Sequence, residues 1–83
     1  MGDYVYDLVG WIGNSPVRFE KAMSLEEMKA TVEEWKKEPE IDYIVVEELD
    51  RSYLEKIRSK TTYHLSKAGW RSHYFYIGEN EKI

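Results

Sequence analysis

Ser24-Leu25-Glu26-Glu27 is the segment that most constrains the fold. A serine followed three residues later by glutamate sets up a capping box, in which the hydroxyl accepts from a first-turn amide and the glutamate carboxylate from the serine N–H. A helix is therefore expected to begin here. Leu25, Met28, Val32 and Trp35 follow at i, i+3, i+7 and i+10 as one apolar stripe, with Glu26, Glu27, Glu33, Glu34, Lys36 and Lys37 turned outward. Pro39 stops the helix, because it pushes Glu38 out of the helical region.

Strand patterns surround this helix. Residues 4 to 12 alternate with a period of two, Tyr4, Tyr6, Leu8 and Ile12 on one side and Val5, Asp7, Val9 and Trp11 on the other. Gly13-Asn14-Ser15-Pro16 is a turn cluster, and Val17 and Phe19 then alternate with Arg18 and Glu20, which predicts a β-hairpin. After the helix, residues 41 to 47 (IDYIVVE) are apolar on both faces, as a central strand would be. Residues 70 to 77 (WRSHYFYI) read as a last strand, with a polar tail from Gly78 onward.

The stretch between those two strands reads as a second helix. Ser52-Tyr53-Leu54-Glu55 has the form of another capping box, and Tyr53, Ile57, Thr61, His64 and Ala68 recur with helical spacing up to Gly69 at the C′ position. Thr61, Thr62 and Tyr63 are poor helix formers and leave open a hairpin over residues 43 to 58. The expectation is one α+β (or small α/β) domain over residues 1–83, in the order ββαβαβ. Its four-stranded mixed sheet would carry both helices on one face and leave the other bare, because right-handed crossovers between neighbouring strands place them together. Aromatics alternating as Tyr4 with Tyr6 and Tyr74 with Tyr76 would then form an exposed patch.

Charge is sorted along the chain. Residues 1 to 50 hold 13 acidic and 5 basic residues, whereas residues 51 to 73 hold 6 basic residues against Glu55, within a net charge of −4 for all 83 residues. On the expected second helix, Lys56, Lys60, Tyr63 and Lys67 fall on one flank, with Arg71 just beyond its end. Such a row either keeps a helix soluble or meets an acidic protein surface, the first helix of a second copy included. Phosphates of a nucleic acid are the alternative, opposed by the overall acidity of the chain.

Other chemistries find little footing. The chain has no cysteine, which excludes disulfides, thiolate ligands and thiol catalysis, and His64 and His73 have no third ligand at metal-like spacing. Glu47, Glu48 and Asp50 form an enzyme-like corner if the strand before them is parallel, the basis for a metal-dependent enzyme as a further alternative. Gly10 and Gly13 do not make a phosphate loop. No basic n-region, apolar h-region or membrane-length apolar run is present, which suggests a cytoplasmic protein with no membrane partner. The reading is a non-enzymatic protein-interaction module, regulatory or inhibitory in type and able to form a homodimer, with no cofactor; small charged and aromatic domains of this kind include ones from mobile elements. Its binding residues would be Lys56, Lys60, Tyr63, Lys67, Arg71, Tyr74 and Tyr76.

Overall fold

The computed structural model describes residues 4–77, apart from the side chains of residues 53–55. The polar tail expected over residues 78–83 lies outside the described residues. The order is β1 (Tyr4–Ile12), β2 (Ser15–Met23), α1 (Leu25–Lys36), β3 (Tyr43–Asp50), β4 (Tyr53–Ser66) and β5 (Gly69–Tyr76). All pairings are antiparallel, in a five-stranded sheet ordered β2-β1-β3-β4-β5.

The helix begins as the capping box requires. The Glu27 N–H donates to Ser24 Oγ at 3.1 Å and the Ser24 N–H to Glu27 Oε1 at 3.0 Å. Met28, Val32 and Trp35 are buried against Leu8, Ile41, Ile44 and Val46, which together form the core. Burying each such side chain contributes on the order of 1.5–3 kcal/mol, so this helix-on-sheet contact is a large favourable term in folding, with Val5 and Leu49 buried besides.

The expected second helix does not form, and with it the ββαβαβ order and the mixed four-stranded sheet are overturned. Residues 53–66 are instead the long strand β4, between two hairpins. Each helix signal has a different structural use. The Ser52 N–H donates to Asp50 Oδ1 at 2.8 Å, so Ser52 belongs to the Arg51-Ser52 turn that joins β3 to β4. Gly69, expected at a helix C′, has φ 112° beside the Lys67-Ala68 turn into β5, a backbone conformation that suits glycine in a hairpin as in a helix cap. Thr61, Thr62 and Tyr63 take the strand conformation their side chains favour. The hairpin left open over residues 43 to 58 is therefore the one that forms, extended to Ser66. Among the described residues, no helix is long and apolar enough to cross a membrane.

Candidate interaction surface

One face of the sheet is only half covered. Leu8, Gly10, Ile44 and Val46 lie beneath the helix. A Cβ on Gly10 would come within 3.1 Å of the Trp35 ring, so the missing side chain lets the helix sit down on β1. Farther across, Tyr63 and Trp70 still pack against the core edge. Tyr74 and Tyr76, which share that face by register, emerge beyond the helix and are 60% and 41% exposed.

A polar cluster fills the corner where the helix gives out. Between Leu49↔Ile57 and Glu48↔Ser59, β4 carries one extra residue, Arg58, and such a bulge re-aims the side chain it carries. Its guanidinium lies 4.4 Å from the Tyr4 ring centre and 5.5 Å from that of Tyr76. Its Nε is 3.8 Å from Glu48. Glu48 also accepts from the Tyr6 hydroxyl at 2.8 Å and the Ser59 hydroxyl at 3.1 Å. Partial burial first, then the hydrogen bond to anionic Glu48, its charge and nearby Tyr74 push the Tyr6 phenol up to about 12.

Among the described residues, no helix covers the other face, where the register aligns side chains in rows. Pro16, Trp11, Tyr43, His64 and Arg71 form one, and Phe19, Val9, Val45, Thr62 and His73 the next. The third holds Asp7, Glu47, Lys60 and Phe75. Asp7 and Glu47, like charges directly opposite each other, are each relieved by a lysine: Lys21 lies 3.7 Å from Asp7 and Lys60 3.9 Å from Glu47. The row therefore reads plus, minus, minus, plus, and is locally neutral.

The two outer strands differ more than the two faces. On β2, the pairing with β1 is interrupted at two places, Ala22 is left-handed at φ 57° and donates its N–H to Asp7, and Pro16, Arg18 and Lys21 lie along the strand. These are devices that stop another strand from adding. On β5, the eight pairs with β4 run without interruption, and the residues are Gly69-Trp70-Arg71-Ser72-His73-Tyr74-Phe75-Tyr76, with no proline and one full charge. The Ile77 N–H donates to the Arg58 carbonyl at 2.8 Å, which makes 58 and 77 a bonded pair. Antiparallel bonding alternates, so the backbone N–H and C=O of Trp70, Ser72, Tyr74 and Tyr76 point away from β4. Among the described residues, no strand lies there to receive them.

The residues expected to form one basic row are dispersed. Lys56 is exposed beside a cleft of about 270 Å³ that it lines with Tyr4, Asp50, Arg58 and Tyr76. Lys60 is on the uncovered face, in its ion pair with Glu47. Tyr63 is on the helix face, with the Lys36 ammonium 4.9 Å from its ring centre. Lys67 is in a turn, and Arg71 lies on the uncovered face opposite His64. A strand sends alternate side chains to opposite faces, so the helical row cannot assemble. Tyr74 and Tyr76 do stay together, but on the helix side of the sheet and not on the bare face where the aromatic patch was expected, and Tyr4 and Tyr6, on that same side, are half-buried. The acidic corner also comes apart: Glu47 and Glu48 face opposite ways on an antiparallel strand, and Asp50 holds a turn. Among the described residues, no group of three His, Asp or Glu could hold a metal ion.

Sequence reasoning passed over Arg58, because a bulge has no periodic signature, and Phe19 and Phe75, which are 59% and 53% exposed. The edge was legible in part, from a run of eight residues with four aromatics and a single full charge. Compared with family models, curated proteins and solved structures, the chain matches none.

Proposed function

We propose that this chain is a non-enzymatic protein-interaction module that takes up an extended segment of a protein partner alongside β5. The observation that carries the reading is the unprotected β5 edge, whose outward backbone groups are flanked by exposed Tyr74, Phe75 and Tyr76. In such strand addition, main-chain hydrogen bonds supply affinity and side chains on alternate faces supply selectivity. Aromatic side chains suit the role, since they offer large contact area at low conformational cost. The nucleic-acid alternative drew on the basic row and loses its support with it.

Ser72→Pro is the test, because proline removes an outward N–H that the monomer does not use. Captured from an extract of the source cell, a partner retained by the wild-type chain should be lost by the variant at unchanged circular dichroism. Equal capture by both chains would place the contact elsewhere.

A further inference from the structure

We infer that the strand added to β5 is β5 of a second copy, paired antiparallel about a two-fold axis at His73 to give one continuous sheet of twice five strands. This rests on the edge-addition reading and names its occupant. Three observations lead to it.

The first is closure. A sheet with two open edges can add copies head to tail without end, whereas one open edge permits only a symmetric pair. The interruptions and charges of β2 close that edge and leave β5 alone to pair.

The second is register. A two-fold axis perpendicular to the sheet keeps both helices on the same side and places residues of like parity opposite one another. Three central positions satisfy this within the strand: Ser72, His73 and Tyr74. Centred on Ser72, the pairing sets Ser72 against itself, Arg71 against His73, and Tyr76 beyond the strand against Ala68. Centred on Tyr74, it sends Trp70 past the end of β5, to residue 78. Centred on His73, every large side chain finds a partner inside the strand: Trp70 meets Tyr76 of the second copy, Ser72 meets Tyr74, and Arg71 meets Phe75. Aromatic pairs of this kind stabilise sheets directly.

The third is charge. Arg71 is the strand's one full charge and, among the described residues, has no ion-pair partner. Opposite Phe75 it sits against an aromatic ring, while centring at Ser72 would bring it to a histidine. The bonding pattern is met by all three centres and fixes what the His73 centre looks like. Trp70, Ser72, Tyr74 and Tyr76, whose backbone groups point outward, would form the hydrogen-bonded pairs, and His73 would face its symmetry mate in a close non-bonded pair with Cα atoms roughly 4.5 Å apart.

The absence of cysteine makes this measurable. Light scattering across a concentration series should give a dimer for the wild-type chain and a monomer for Ser72→Pro, and likewise for Tyr74→Lys, should proline disturb folding. Under mild oxidation, His73→Cys should form a covalent dimer within minutes, because that Cα separation is one a disulfide spans, while Ser72→Cys and Tyr74→Cys, each two residues out of step with its own copy, should stay largely uncrosslinked. A wild-type chain that is monomeric at every concentration, a dimer that both edge variants retain, or crosslinking through 72 or 74 in preference to 73 would each overturn the inference. A monomer whose partner capture is still abolished by Ser72→Pro would overturn the second copy as occupant and leave the edge-addition reading standing.

Discussion

The two edges of this sheet face the same hazard and meet it differently. β2 and β5 are of similar length, nine and eight residues, and among the described residues each is paired on one side only. On β2, the interrupted register, a left-handed alanine, a proline and two basic residues oppose any added strand. On β5 the register is unbroken, proline and a left-handed non-glycine residue are absent, and Arg71 is the one full charge. The ion pair from Arg18 to Glu38, at 2.7 Å just past α1, further ties β2 to the helix. The contrast teaches that the two edges differ in what each lets another strand do, since an exposed aromatic edge without such devices is open to strand pairing, aggregation included.

The largest effect expected in breaking that contrast comes from moving a proline by one position along β5. His73→Pro removes an N–H that bonds to β4 and should cost about 1–3 kcal/mol in urea unfolding, whereas Ser72→Pro should stay within roughly 0.5 kcal/mol of wild type under conditions where the chain is monomeric. Equal losses would mean that the alternation of inward and outward groups is wrong. Next comes opening the other edge. Replacing Pro16 with Val and both Arg18 and Lys21 with Thr should yield species larger than a dimer by light scattering, at a stability cost of about 1 kcal/mol or less from the two exposed ion pairs. An unchanged oligomeric state would mean that the interruptions alone close β2.

The smallest effect lies between the edges, at Tyr6. Its phenol ionises near 12 in the folded chain against an ordinary value of 10.0, so the folded state holds its proton while the unfolded state releases it. The resulting stability is fully present below pH 10 and is lost as pH rises toward 12. Tyr6→Phe should therefore flatten the alkaline limb of a stability-against-pH curve, and an unaltered limb would remove Tyr6 from it.

The first half of the chain was legible because its signals were local and had one meaning. The capping box at Ser24, the stripe ending in Trp35 and the alternation over Tyr4–Ile12 each specify one conformation. Residues 51–69 carried signals with two meanings. Ser-x-x-Glu at Ser52 also suits a turn, Gly69 serves a hairpin as well as a helix end, and Ile57, Thr61 and His64 match helical spacing while belonging to a bulged strand. The propensity of Thr61, Thr62 and Tyr63 was the better guide. The contact surface depended on that choice: with β4 taken as a helix, Lys60 and Tyr63 share a flank, and with β4 as a strand they part. Tyr74 and Tyr76 survived it because they lie on a strand in either reading.

The order β2-β1-β3-β4-β5 has a kinetic consequence. Three of the four strand pairings join neighbours along the chain, and one, β1 with β3, spans β2 and the helix. Loop-closure entropy is therefore concentrated in one event, the meeting of Leu8 with Val46 and of Val5 with Leu49, and that step is the natural bottleneck of folding. β5 joins through a two-residue turn and lies outside it. Substitutions along β5 should therefore change the folding rate less than substitutions at Leu8 or Val46.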